Sequence, residues 1–355
     1  MAVVFRADGG ATSRAAAGVA RGVVAVRSAL RSDRVRGPSV WRAFRARETG
    51  DDGRGEASHE KEYAMAGAGS GGTEGVTGGK SRFEDIYGRP DPRAYFGRLA
   101  PLEYEIPHHA QPVFRRAAAD RAALDDARTH GTAVLDLCCS YGINAALLNH
   151  DVTLAEMCER YTSPGSRTMS TAELTASDKA FYAARRRPDA VPVYGLDVSA
   201  PAARYALEVG LLDAAFTDDL EQGPPGPGLS RALADVGLVT LTGGGSYVTA
   251  RTFTALLEGA RRPVWVSAFV LRTVSYEPIA GALAVHGLST TVDASRLYPQ
   301  RLFTDAREQR YAIAAVRAMG GDPTGYEENG RFYALHYESR PHAAVRRARG
   351  GSPAP

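Results

Sequence analysis

Three acidic positions stand where the chain leaves an apolar run and turns. Asp136 opens Leu135-Asp-Leu-Cys-Cys-Ser-Tyr-Gly142, Asp197 sits in Gly195-Leu-Asp-Val-Ser199, and Asp218-Asp219-Leu220 follows Ala214-Ala-Phe-Thr217. A carboxylate at a strand tip can accept hydrogen bonds from loop amides, face a cation, or take both hydroxyls of a ribose. Each position also has a plainer reading. Asp136 would belong to an ordinary β–α turn, Asp197 or Ser199 would cap the helix after Pro201, and Asp218-Asp219 would be a solvated turn. A dinucleotide site needs several glycines so that the backbone can approach a pyrophosphate at a helix N-terminus. The first turn carries only Gly142, with Cys and Ser at the other small positions. That argues against an NAD(P)-dependent oxidoreductase and suits a ligand without a pyrophosphate.

The elements around these turns alternate. Thr132–Leu137 reads as a buried strand, and Ile143–Asn149 starts a helix directly after the turn, which is the opening of a βαβ unit. A helical stretch over 150–190, broken at Pro164-Gly165, separates it from the strand Val191–Val198. Further strands are read at Ala214–Thr217, Val236–Thr242, Pro263–Leu271 and Ser289–Ala294, with helices at Pro201–Val209, Thr249–Leu257 and Pro278–His286. Gln309–Arg317 fits a last core strand, or Glu308–Met319 a helix, and Tyr326–Tyr337 reads as an edge strand. Upstream, Pro90, Pro92, Pro101 and Pro107 divide an aromatic stretch into short pieces before a helix read over Pro112–Thr129. Strands alternating with helices over some 200 residues predict an α/β fold, doubly wound around a mostly parallel sheet. Ligands of such folds bind beyond the carboxyl ends of the strands.

Composition narrows the classes. The 355 residues are 44% hydrophobic and 23% charged, which is ordinary for a globular chain and excludes collagen-like or wholly disordered types. No apolar run is long enough to span a membrane. Three cysteines, two of them adjacent, suit a reducing compartment, and a cytoplasmic location is expected. Residues 1–80 carry 13 basic and 9 acidic residues, and residues 340–355 carry four Arg and no acid. The body from 81 to 339 is therefore acidic by five charges, so the net +3 belongs to the ends and does not argue for nucleic acid. Residues 1–80, rich in Ala, Gly, Ser and Arg, read as a disordered, targeting or spurious extension, with Met65 as an alternative start. Residues 340–355 read as a basic tail.

Val134–Leu148, Tyr194–Ala206 and Phe216–Glu221, in this order, resemble the first three motifs of class I S-adenosylmethionine-dependent methyltransferases. Thr240–Phe253 resembles the fourth strand and its loop, and the likeness runs over Phe83–Ser339. It implies a seven-stranded sheet under an N-terminal helical lid, with S-adenosylmethionine as cofactor. The first loop would hold the methionine part (Asp136, Cys138, Gly142), the second strand tip the ribose (Asp197, Val198), and the third the adenine (Asp219, Leu220). The family usually has Gly where this chain has Cys138. Tyr104 and Thr242 are placed beside the cofactor by the same likeness. His108, on the lid, and Tyr247, after Gly243-Gly-Gly, are the candidate catalytic groups, with His286 a further candidate base.

Methyl transfer from a sulfonium is an in-line displacement, so alignment is the main demand on the protein, and a base is needed only if the acceptor keeps a proton. No His, Cys, Asp or Glu set has metal-ligand spacing, so a metal-independent enzyme is expected. The acidic body and the Thr-Gly-Gly-Gly loop favour a small-molecule acceptor, such as one of specialised metabolism, over nucleic acid; no membrane partner is expected, and a homodimer is allowed for. A non-catalytic cofactor-binding or interaction module is the competing reading.

Overall fold

A computed structural model describes residues 83–124 and 132–342. The expected extension over 1–80 and most of the basic tail lie outside the described residues. Among the described residues, eight strands form one sheet: β1 Ala133–Leu137, β2 Val193–Leu196, β3 Ala214–Phe216, β4 Val236–Thr242, β5 Trp265–Leu271, β6 Leu288–Val292, β7 Tyr298–Leu302 and β8 Arg331–Pro341. Their order is β3-β2-β1-β4-β5-β8-β6, with β7 also paired to β8. Strands β1 to β5 pair with one another in parallel. Strand β8 runs antiparallel to β5, β6 and β7. The chain winds one way from β1 to β3 and then restarts on the other side of β1 with β4. That reversal is the switch point where such sheets open a crevice.

The central strands form because their residues suit burial on two faces. AVLDL, VGLVTLT and WVSAFVL are buried at every position, as strands covered by helices on both sides must be. Side chains alternate across the sheet. Val134, Leu238 and Phe269 enter one core cluster; Leu135, Val239 and Val266 enter the other. The first face is covered by α1 Glu84–Tyr87, α2 Arg93–Leu99, α3 Ile106–Ala122 and α4 Ile143–Asn149, and by α5 Leu154–Thr162, α7 Thr171–Ala183 and α8 Ala200–Glu208, with the short α6 Pro164–Thr168 linking α5 to α7. The other is covered by α9 Pro227–Ala232, α10 Ala250–Gly259 and α11 Glu277–Val285; α12 Ala306–Ala318 follows β7. Helices α5 and α7 begin with capping boxes, Thr153 with Glu156 and Ser170 with Glu173. Pro164 opens a new helix where the 150–190 stretch was expected to break.

The last third departs from expectation. The sheet has eight strands where the resemblance implied seven, because Tyr298–Leu302 (YPQRL) pairs with β8. The segment is a helix and not a strand: α12 runs to Ala318, and its cap Asp305 accepts the Glu308 amide at 2.8 Å. Strand β8 lies inside the sheet, not at its edge: β5 pairs along one side, while β7 and β6 follow one another along the other. It reaches Pro341, two residues past the expected end of the domain. The helix expected from Pro112 starts earlier, at Ile106, with Pro107 in its first turn and Pro112 inside it.

The N-terminal segment lies over the carboxyl ends of the strands. Tyr141 donates its hydroxyl to the Ile86 carbonyl at 2.7 Å, and Ser199 donates to the Tyr87 carbonyl at 2.7 Å. Arg331 on β8 binds both Glu103 and Glu105. The cover is thus fastened by side chains from the first turn, the second turn and β8.

Candidate functional site

Beneath this cover, at the ends of β1, β2, β3 and β4, lies a cavity of about 790 Å³. Its first wall is the β1 turn. Cys138, Ser140 and Gly142 have φ of +57°, +50° and +77°. Every second residue is left-handed, a conformation costing an L side chain roughly 1–2 kcal/mol. The turn persists because it is held from outside: Cys138 N–H donates to the Leu196 carbonyl at 2.8 Å, and Ser140 N–H to Asp197 Oδ2 at 2.8 Å. Gly142 does not reach the cavity. A Cβ there would lie 3.0 Å from that of Ala206, so its lack of a side chain lets α8 approach. Cys138 does line the cavity, and its side chain fits against Gly244, where an added Cβ would come within 2.5 Å of the sulfur. Burial holds the Cys138 thiol far above its ordinary pKa, so it is a neutral wall and not a nucleophile.

Asp197 is the carboxylate of the second wall. Its Oδ1 accepts Ser199 N–H at 2.8 Å and its Oδ2 accepts Ser140 N–H, leaving each oxygen further acceptor capacity. Burial raises its pKa, against the two amides, which lower it. Val198 beside it is exposed and lines the cavity. Leu220 is buried in the third wall, and Asp219, exposed, accepts the Glu221 amide at 3.0 Å. Glu221 grips the start of α10 through Thr249 N–H and Oγ1, both at 2.8 Å, and Thr252 Oγ1 at 2.6 Å. Burial alone would raise its pKa; these bonds outweigh it and hold it below the ordinary carboxylate value.

Asp136 is placed differently from expectation. It does not line the cavity: it is 1% exposed and sits beneath it, accepting Asn144 Nδ2 at 2.9 Å and Thr240 Oγ1 at 3.0 Å. Asn144, 3.0 Å from Thr242 Oγ1, does reach the wall with Thr242. Asp136 therefore acts on the cavity by fixing Asn144 and Thr242. Burial pushes its carboxyl up to about 7, although both hydrogen bonds lower it. Its folded pKa exceeds its unfolded value of 3.8, so the folded state holds the proton between them. This contribution is fully present below about pH 4 and lost as pH rises through about 7, at up to about 1.4 kcal/mol per pH unit. Glu327, buried beside Arg272 and raised to about 7 with burial the largest cause, adds a second contribution of the same sign. Asp136→Asn should remove the first and flatten the decline in melting temperature from pH 4 to 7; an unchanged slope in the variant would refute the assignment.

The cover forms the remaining wall. Tyr87, Tyr95 and Tyr104 line it, with Phe83 and Leu99. Burial raises the pKa of all three phenols, so they stay neutral. The Tyr104 hydroxyl lies against Gly243, where an added Cβ would sit 2.6 Å away. Tyr247 is 47% exposed at the mouth and lines the cavity. His108 does not. It sits on α3 with its ring 5.3 Å from that of His109, and burial followed by His109 lowers its pKa. Its neighbour Pro107 faces the cavity instead. His286 caps α11 and is also outside. Among the described residues no histidine lines the cavity, and no three His, Cys, Asp or Glu side chains are grouped to hold a metal ion.

Sequence reading missed Tyr87, Asn144, Glu221, Gln300 and Arg301 as wall residues. Asn144 was legible in principle, being the first polar residue of the helix after the turn. Gln300 and Arg301 were not, since they lie on β7.

Parallel strands in the order β3-β2-β1-β4-β5, completed by the antiparallel β8, enclose one cavity at the switch point. This is a doubly wound, Rossmann-like α/β fold. The sequence matches no protein-family profile and no curated protein. Among solved structures the chain is similar to magnesium protoporphyrin IX methyltransferase from Synechocystis PCC 6803 with bound SAH, at 14% identity, covering 65% of this chain and 82% of that one, TM-score 0.31. It is similar to the plantazolicin methyltransferase BamL, at 12% identity over 65% and 84% of the two chains, TM-score 0.31. It is also similar to the [4+2]-cyclase SpnF, at 12% identity over 65% and 82%, TM-score 0.33.

Proposed function

We propose that the protein is an S-adenosylmethionine-dependent methyltransferase acting on a small-molecule acceptor. The observation that carries this reading is Asp197, held at the tip of β2 by two loop amides with acceptor capacity left toward the cavity. The residues present fit the cofactor. Asp197 suits a ribose, the Asp219–Leu220 turn and Val198 suit an adenine, and Ser140 offers a buried hydroxyl with no protein partner. The side chains at Cys138 and Ser140 stand where a pyrophosphate would need bare backbone, which disfavours a dinucleotide. When bound, S-adenosylmethionine supplies a methyl group already activated on its sulfonium.

The chain's own residues then bind and orient. Asp136 fixes Asn144, and Asn144 meets Thr242, so the wall between β1 and β4 is rigid at the place where alignment matters. Tyr104 lies against Gly243, and the fastened cover walls the cavity on that side. Cavity volume falls within the roughly 300–1,000 Å³ of small-molecule sites, and the aromatic wall beyond Thr242 leaves space for an acceptor, which disfavours a non-catalytic module. With no imidazole among the described wall residues and the phenols of Tyr87, Tyr95 and Tyr104 held neutral, an acceptor that needs deprotonation would lose its proton to solvent at the mouth, where Tyr247 is exposed. Calorimetric titration of the full chain with S-adenosylmethionine, with NADPH in parallel, tests the reading. Micromolar binding of the first and none of the second is expected; the reverse would move the protein to the oxidoreductases.

A further inference from the structure

Strand β7 pairs Tyr298 with Ala334 and Pro299 with Tyr333, then skips to Arg301 with Phe332. Gln300 is the extra residue of this β-bulge. A bulge breaks the alternation of a strand and re-aims a side chain. Here it turns two consecutive residues, Gln300 and Arg301, into the same cavity wall. Their polar groups fare differently. Arg301 is bidentate to Glu308 at 2.9 and 2.6 Å and donates to the Leu302 carbonyl at 2.8 Å. Gln300 is 2% exposed, and its Oε1 has no hydrogen-bond partner. A buried carbonyl left without a donor is unfavourable unless a bound molecule supplies one.

The surroundings define that molecule. Phe83, Tyr87, Tyr95, Leu99 and Tyr104 form the adjoining wall, so it presents rings to a flat apolar body. The cationic group on this side is already paired to Glu308 and is unavailable to a carboxylate or phosphate. The acids Asp197 and Glu221 stand at the other end, holding amides and hydroxyls. We propose that Gln300 determines acceptor specificity, and that the acceptor is an uncharged aromatic molecule whose hydroxyl or N–H donates to Gln300 Oε1. This rests on the methyltransferase reading for the word acceptor, but the binding site stands on geometry alone.

The test uses the full chain, with and without S-adenosylhomocysteine, titrated by ligand-observed NMR. The probes are 4-ethylphenol, its methyl ether 4-ethylanisole, and 4-ethylbenzoate. The phenol should bind about 10-fold more tightly than the ether, because a site built around a hydrogen bond rejects the analogue lacking it. Gln300→Leu should abolish that preference while leaving the affinity for S-adenosylhomocysteine within about twofold, which also reports that the variant is folded. Equal binding of phenol and ether to the unmodified protein overturns the proposal. So does a preference that survives in Gln300→Leu, a tighter benzoate, or no binding of either neutral probe at millimolar concentration. Failure of S-adenosylhomocysteine to bind would sink the methyltransferase reading separately, since the phenol-against-ether comparison is read without it as well.

Discussion

Asp197→Ala should weaken S-adenosylmethionine binding by about 100-fold or more, measured by calorimetry on protein shown to be folded by circular dichroism. The size follows from what the carboxylate does. It would accept two ribose hydroxyls, and hydrogen bonds to a charged group contribute about 1.5–3 kcal/mol each, where about 1.4 kcal/mol is tenfold in affinity. It also accepts the amides of Ser140 and Ser199 at 2.8 Å each, which hold the left-handed β1 turn against the start of α8. Alanine therefore removes both the ligand contact and the restraint on the turn that contacts the ligand. Asp197→Asn separates them. It keeps one acceptor oxygen and the side-chain shape but puts a donor where an amide now donates, so an intermediate loss is expected. An affinity in Asp197→Ala within about threefold of the unmodified protein would remove the observation on which the proposed function stands.

What the sequence made legible follows from how each element is buried. Strands β1, β4 and β5 are apolar on both faces, so each is a short uninterrupted hydrophobic run with turn residues after it, and all three are found where the runs lie. Asp197 and Leu220 are found at the cavity because a strand tip at the switch point has only one place to face. The misplaced residues are those whose neighbours come from far along the chain. Whether Asp136 faces the cavity or lies under it depends on Asn144 and Thr240, which surround it. His108 follows a proline that starts α3, and the turn of that helix points Pro107 inward and the imidazole away. Strand β8 alternates, as an edge strand does, yet it lies between β5 on one side and β6 and β7 on the other. That depends on β7, and YPQRL hides its strand character behind a proline, an amide and a guanidinium. Its burial is stable only because Glu308, on the next helix, comes back to meet Arg301.

That pair makes the second prediction. Glu308→Ala should cost about 3–5 kcal/mol of folding stability, the usual range when one partner of a buried ion pair is removed. The side chains of Arg301 and Glu308 are 2% and 1% exposed. Losing the carboxylate leaves a guanidinium in the wall between Phe83 and Phe332, whose rings it faces at 5.2 and 4.9 Å. It also frees the Thr304 amide, which donates to Glu308 Oε2 at 2.8 Å. Urea unfolding monitored by fluorescence measures the loss. The paired replacement Arg301→Met with Glu308→Leu should recover most of it, since apolar residues of similar volume cost no desolvation. If the single variant loses less than about 1 kcal/mol, water reaches Arg301 and the wall is not sealed. If the double variant is as unstable as the single one, the charge is not what holds β7 to α12, and packing of that bulged strand must be. The distinction matters for the cavity, because the same two residues decide whether Gln300 is held rigidly beside Tyr104 and Gly243 or is free to swing away from them.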